Sequence, residues 1–89
     1  MLAALEETAS ALDGFSRSAR QAEALLSAAQ ASQRAATLAR ARFDAGASDF
    51  LVVLDAERER LAATDRLAQA QTGQAQALVS VYRSLAGGW

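Results

Sequence analysis

The chain has 89 residues, and its ten acidic and nine basic residues, all nine of them arginine, leave a formal net charge of −1. This balance offers no basic face to a phosphate backbone, so a nucleic-acid partner is not expected. Cysteine and histidine are both absent. The usual thiolate and imidazole ligands and the commonest general base are therefore missing, and we expect neither an enzyme nor a bound metal or cofactor.

The composition favours an all-α fold. Alanine, the best helix former, accounts for 24 residues, and the chain contains no proline and no isoleucine. No run alternates apolar with polar residues, so strands have no support. We predict one long antiparallel α-helical hairpin, a coiled coil over residues 1–89. Its helices are expected at about 2–44 and about 49–86, with a turn at 45–48.

The first predicted helix carries apolar residues at heptad spacing. Two rows recur every seven residues: Leu5, Leu12, Ala19 and Leu26, and, offset by three, Phe15, Ala22, Ala29, Ala36 and Phe43. Such repeats drive helices to pack as a left-handed coiled coil, so we expect these rows to form the buried seam. A further alanine row, at Ala28 and Ala35, lies outside the predicted seam.

The turn is predicted between Asp44 and Asp49. Gly46 is placed as the residue that follows a helix C-terminus, where the backbone turns left-handed and glycine adopts that conformation cheaply. Ser48 or Asp49 can then cap the second helix by accepting hydrogen bonds from its free backbone N–H groups. The segment therefore predicts a sharp reversal of the chain.

The second predicted helix also carries more apolar rows than one contact needs. Its main row is Leu54, Leu61, Ala68, Ala75 and Tyr82, with Leu78 and Leu85 beside it, and its second row is Ala56, Ala63, Ala70 and Ala77. An isolated hairpin needs one buried seam per helix. The surplus indicates neighbours on more than one side, unless the extra alanines are simply tolerated on an exposed surface.

Polar residues interrupt the predicted seam at positions where a dry coiled coil places leucine. They are Gln33, Arg40, Glu57, Thr64 and Gln71. Burying them without partners would be costly. Either this side of the helices faces water, or these residues lie at the rim of the seam.

No segment of the sequence resembles a membrane span or a leader. The longest apolar stretch, Phe50 to Leu54, is far too short to cross a bilayer. Residues 1–15 lack a basic segment followed by an apolar block. If the parent protein is exported, we expect that signal to lie outside these residues.

Two motifs carry a family resemblance. The first surrounds the turn and comprises Arg42-Phe43, Gly46, Phe50-Leu51 and Leu54-Asp55-Ala56-Glu57-Arg58; the second is the tail from Leu78 to Trp89. They resemble the tip hairpin and the Leu-Tyr-Lys-Ala-Leu-Gly-Gly-Gly-Trp ending of TolC-like outer-membrane efflux channels, including the lipoprotein members. The motifs also have a family-like separation. The resemblance covers nearly the whole chain but only a minor part of a family member.

The resemblance implies that the chain is a fragment of a homotrimeric channel. Such channels have an outer-membrane β-barrel and a periplasmic α-barrel, whose tip is closed by two hairpins from each subunit. This segment would lie in the periplasm and contact the other hairpins of the channel. Membrane attachment would come only through the missing β-barrel or a lipid anchor.

The resemblance also implies a gate. The closed pore of the family is held by a leucine and an aspartate on the second helix, tied by an aromatic residue and an arginine. These roles fall on Leu51, Asp55, Phe43 and Arg58. Spacing alone places residues 51, 55 and 58 on one helical face and allows an ion pair between Asp55 and Arg58.

Each gate assignment has an alternative. Tyrosine is usual where this chain has Phe43, so any hydrogen bond through that hydroxyl is lost. Phe43 opposite Phe50 is equally well explained as core at the tip of the hairpin. Asp55 and Arg58 are also consistent with a solvated surface pair.

The tip turn of the family docks against a periplasmic adaptor protein through small residues, which here are Ala45, Gly46, Ala47 and Ser48. Small side chains permit close packing of helix ends, although Gly46 also serves simply to end a helix.

A second function stays open, namely a free-standing interaction module. It would form a homo-oligomeric bundle and bury Leu5, Leu12, Leu54 and Leu61 between subunits. For the isolated chain we expect a homo-oligomer.

Overall fold

The computed structural model describes residues 2–87, apart from the side chain of Ala4, and this part of the chain contains helices and one turn but no strand. Helix α1 spans Leu2–Asp44 and helix α2 spans Phe50–Gly87. The prediction of an all-α hairpin is confirmed, and each helix end agrees with its expected position to within one residue. Gly88 and Trp89 of the tail motif lie outside the described residues.

Helix–helix contacts divide the chain into two compact units, and in each unit a segment of α1 packs against a segment of α2. One unit comprises residues 24–68 and includes the turn, and we call it the turn unit. The other contains the described residues 2–23 and 69–87, and we call it the terminal unit. Over the described residues, neither helix has the length and apolar character that a membrane span requires.

Small side chains form the contact between the helices of the turn unit. Ala36, Ala39, Val53 and Ala63 are buried, and Val53 is only 2% exposed. Residues at the same spacing are half-buried beside them, namely Leu25, Ala29 and Ser32 on α1 and Ala56, Arg60 and Leu67 on α2. Steps of three and four residues along both helices are the spacing of a coiled-coil seam.

The terminal unit uses the same spacing. Ala22 and Val81 are buried there. The half-buried rows are Thr8, Ala11, Phe15 and Ser18 on α1 and Ala70, Gln74, Ala77 and Ser84 on α2. The hydroxyl of Ser84 lies 3.3 Å from the hydroxyl of Thr8, so two polar side chains meet across this contact. Hydroxyls therefore take places in the seam that usually hold leucine.

The rows that form the seam differ from the prediction. The row from Phe15 to Ala36 lies at the contact as expected, and so does the row from Ala56 to Ala77, which the sequence placed outside. The leucine rows were wrongly placed inside: Leu5, Leu12, Leu26, Leu54, Leu61 and Tyr82 are all exposed. Alanine rows let two backbones approach closely, and this contact leaves the larger leucines directed away from the seam.

Candidate functional site

The turn begins with a Schellman motif at the end of α1. The Ala47 N–H donates to the Arg42 carbonyl at 2.8 Å, and the Gly46 N–H donates to the Phe43 carbonyl at 2.9 Å. Gly46 has a φ of 75°, the left-handed conformation expected of it. Backbone hydrogen bonds therefore fix the conformation of the turn at the end of α1.

Asp49 caps the start of α2. Its carboxylate oxygen accepts from the Leu51 N–H at 3.3 Å, and its carbonyl accepts from the Val52 N–H at 3.2 Å. These contacts are those of a helix N-cap. The sequence left Ser48 and Asp49 as alternatives, and the structure selects Asp49.

Residues 45–48, just before the cap, form the tip that the sequence predicts to dock an adaptor. Ala45, Gly46 and Ala47 are exposed, and Ser48 is half-buried. A Cβ built on Gly46 meets nothing within 4 Å, so the space above the turn is open. The tip is therefore small, accessible and held in one conformation by its own backbone.

Two aromatic rings pack across the turn. Phe43 at the end of α1 and Phe50 at the start of α2 have ring centroids 5.3 Å apart and an interplanar angle of 62°, an edge-to-face contact. Both remain accessible, with 40% and 48% of their surface exposed. The pair joins the helix ends but is not enclosed as a core, so the rings can still contact a neighbouring chain.

The other three gate candidates lie on the first turns of α2. Leu51 is 64% exposed, and Asp55 and Arg58 are also exposed. Their spacing places them on a common face, as expected. Within the described residues, Asp55 and Arg58 form no ion pair with each other. The carboxylate and the guanidinium therefore remain available to partners outside the turn unit.

An ion cluster joins the two helices of the turn unit instead. The carboxylate of Glu57 accepts from Arg60 at 2.9 Å, and its other oxygen lies 4.0 Å from the Arg40 guanidinium on α1. With Gln33 and Thr37, these side chains line a groove of about 220 Å³. The sequence did signal Arg40 and Glu57 as breaks in an apolar row. The sequence did not show that Arg40 pairs with Glu57, because that depends on which residues of the two helices lie opposite each other.

Comparison with known proteins decides the family. The family model for the outer membrane efflux protein matches residues 1–87. The chain belongs to the outer membrane efflux protein family. This membership confirms the resemblance inferred from the turn and tail motifs. No solved structure matches the chain.

Relatives in this family are similar over most or all of the chain. Pyoverdine export outer membrane protein OpmQ of Pseudomonas putida is 37% identical over 89 residues, which are 100% of this chain and 19% of the relative. Outer membrane protein OprJ of Pseudomonas aeruginosa is 35% identical over 86 residues, 97% of this chain and 18% of the relative. Toluene efflux pump outer membrane protein TtgI of Pseudomonas putida is 40% identical over 53 residues, 60% of this chain and 11% of the relative. The chain thus spans at most about a fifth of the length of these outer membrane efflux proteins.

Proposed function

We propose that this chain is the periplasmic tip hairpin of an outer-membrane efflux channel, where it contributes to pore gating and docks the periplasmic adaptor of a tripartite efflux pump. The observation that carries this proposal is the family match over residues 1–87, which includes the whole closed turn. The function is transport rather than catalysis. In the full protein the hairpin works beside the other hairpins of a homotrimer, within an outer-membrane assembly.

The gate consists of Leu51, Asp55 and Arg58 on α2, together with Phe43 at the end of α1. Around a symmetry axis, copies of Leu51 form an apolar ring and copies of Asp55 form a charged ring, the two kinds of constriction that channels use. Exposure of both side chains supports this role, because a ring requires groups that point away from their own hairpin. Arg58 then holds the closed state by pairing with a carboxylate of a neighbouring hairpin.

The docking tip is the segment from Ala45 to Ser48. Its backbone is held by the Schellman motif on one side and by the Asp49 cap on the other. Little conformational freedom therefore remains to be lost when the tip binds, which favours affinity for a small contact. The absence of bulky side chains lets the helix ends of an adaptor approach closely.

The names of the relatives describe unlike cargoes. One is named for pyoverdine export and another for toluene efflux, although both are similar to this chain. A common hairpin with different cargoes supports a role in opening and docking rather than in selecting the exported molecule.

Conductance of the full-length protein that carries this segment tests the gate. We expect the double substitution Asp55→Ala/Arg58→Ala to raise the conductance of the closed channel in planar bilayers and to increase entry of vancomycin into cells. The matched control is Asp13→Ala/Arg17→Ala, which removes an exposed ion pair of α1. Unchanged conductance and vancomycin entry in the gate variant would rule out this role for Asp55 and Arg58.

A second candidate function is a free-standing module that forms a homo-oligomeric helical bundle. It is favoured by the exposed leucines of both units, among them Leu5, Leu12 and Leu61 at 65%, 51% and 60%. Exposed large apolar side chains in each unit are typical of an interface. Sedimentation that showed a folded monomer at every concentration would eliminate this candidate.

A further inference from the structure

The groove beside the ion cluster of the turn unit has a mainly polar lining. It encloses about 220 Å³, and among the described residues that line it only Ala36 is apolar. The polar lining residues are Gln33, Thr37 and Arg40 on α1 and Glu57 and Arg60 on α2. Three of these, Gln33, Arg40 and Glu57, interrupt the apolar repeat of the sequence. Neither the gate nor the docking tip uses them.

Two guanidiniums share one carboxylate in this groove. Nε and Nη2 of Arg60 both lie 2.9 Å from one carboxylate oxygen of Glu57. Nη2 of Arg40 lies 4.0 Å from the other oxygen, which is longer than a hydrogen bond. A guanidinium carries five N–H donors, so both arginines keep donors that Glu57 does not use. The groove therefore has one more positive charge than its carboxylate neutralises.

The charges beside the groove leave this excess in place. On α1, Arg34 lies three residues before Thr37, and Asp44 lies four residues after Arg40, so one charge of each sign is added. Arg66 points about 180° away from Glu57 around α2 and lies on another side of the helix. The excess positive charge is therefore a local property of this groove.

Both guanidiniums are accessible from solvent. The side chain of Arg40 is 64% exposed and that of Arg60 is 38% exposed, so an anion reaches both without separating the helices. The exposed Gln33 adds an amide that can donate. The Thr37 hydroxyl already donates to the Gln33 carbonyl at 3.0 Å and offers only its oxygen. The donors of the groove thus come from both helices.

We propose that this groove binds a phosphate group, with Arg40 and Arg60 donating to different phosphate oxygens. A tetrahedral phosphate presents its oxygens in several directions and can accept from guanidiniums on two helices, whereas a carboxylate is matched by the fork of one guanidinium. Because the groove is open to water, binding is weak and falls with added salt. The inference goes beyond the proposed function and does not depend on it.

Titration of the 89-residue chain with inorganic phosphate tests the site, with the arginine Nε–H signals followed by NMR at constant ionic strength. We expect the Arg40 and Arg60 signals to shift and saturate with a Kd on the order of 1 mM, and the Arg66 signal to stay in place. Acetate should bind at least about fivefold more weakly. Unsaturated shifts of equal size at all arginines, or acetate that binds as well as phosphate, would overturn the proposal.

Removal of Glu57 distinguishes a phosphate site from a purely structural ion cluster. Glu57→Gln frees both guanidiniums for the ligand, so phosphate affinity should rise about threefold or more, although the same substitution weakens the fold. Glu59→Gln makes the same charge change at a position about 200° away around α2 and should leave the affinity unchanged. Weaker binding in Glu57→Gln, or an equal gain in Glu59→Gln, would contradict the site.

Removal of one guanidinium should have the opposite effect. Arg40→Gln should weaken phosphate binding about tenfold, because only Arg60 then donates from a charged group. Arg66→Gln is the matched control and should bind phosphate as the unchanged chain does. Equal losses in the two variants would show that phosphate responds to net charge alone, which would overturn the site.

Glycerol phosphate distinguishes a free phosphate ion from a phosphate ester as the natural ligand. An affinity at least equal to that of inorganic phosphate would support the site and assign it to esters. An affinity well below it, with inorganic phosphate still bound, would support the site and assign it to the free ion. Saturable binding of neither compound would overturn the proposal.

Discussion

The Arg40 guanidinium and the Glu57 carboxylate lie 4.0 Å apart and join the two helices of the turn unit. Both residues occupy positions of the heptad repeat at which a dry coiled coil has leucine. They are tolerated because neither is fully enclosed: the side chain of Arg40 is 64% exposed and that of Glu57 is 27% exposed. This cluster therefore adds a polar contact between the helices beside a seam made mainly of small apolar side chains.

Replacing Glu57 tests the contribution of this cluster. We expect Glu57→Gln to lower the free energy of unfolding by about 0.5–1 kcal/mol, because the neutral amide loses the charge attraction to both Arg60 and Arg40. High salt should reduce the difference. Urea unfolding measures it, with Asp13→Asn as the control, since Asp13 pairs with Arg17 where both side chains are 68% exposed. Equal losses in the two variants would contradict a special role for Glu57.

Replacing Gly46 and Gly73 by alanine should change the stability of the chain in opposite directions, because only Gly46 has a left-handed backbone. Gly46→Ala should destabilise the hairpin by about 1–2 kcal/mol, because alanine is disfavoured at a φ of 75° although its Cβ meets no neighbour. Gly73→Ala should instead stabilise α2 by up to about 1 kcal/mol, since Gly73 lies within the helix and its added Cβ is also free of contacts. Thermal unfolding followed by circular dichroism gives both values. Stabilisation by Gly46→Ala would refute the left-handed turn.

The cap of α2 is tested by three substitutions at two neighbouring positions. Asp49→Ala should lower the free energy of unfolding by about 0.5–2 kcal/mol, because the Leu51 N–H loses its acceptor. Asp49→Asn should retain most of the stability, and Ser48→Ala should cost less than Asp49→Ala. The order of the three unfolding midpoints is the measurement. A larger loss at Ser48 than at Asp49 would move the cap to Ser48.

Replacing an alanine by the larger leucine tests which apolar row of α2 forms the seam. Ala63→Leu should destabilise the chain by about 1–3 kcal/mol, since Ala63 is only 3% exposed between the helices. Ala68→Leu adds the same atoms in the exposed leucine row and should change stability by less than about 0.5 kcal/mol. If Ala68→Leu proved the more damaging substitution, the row predicted from the sequence would be the true seam.

The hairpin itself was predictable because its signals are local. An alanine-rich composition without proline sets both helices, and Gly46 and Asp49 each act within a few residues of their own positions. The family was predictable from the same turn, since the Arg42-Phe43 and Leu54 to Arg58 motifs surround it.

The seam was not predictable, because the choice between apolar rows is a tertiary one. Leu61 and Ala63 both recur at heptad spacing, and either row satisfies the repeat. Leucine buries more apolar area, yet alanine permits closer backbones, and only the packed pair of helices decides between them. The spacing of Asp55 and Arg58 also left a choice open, since an i, i+3 spacing permits an ion pair but does not require one.

Covalent trapping at the tip tests the central claim most directly. A photo-crosslinking residue replaces Ala47 in the full-length protein, and the same residue at Ala9, an exposed position of the terminal unit, is the control. We predict that illumination of intact cells joins the Ala47 variant to the hairpin tip of the periplasmic adaptor, identified by mass spectrometry, while the Ala9 variant gives no such product. An adaptor product at Ala9 but not at Ala47, or at neither position, would contradict the assignment of this turn to the docking tip.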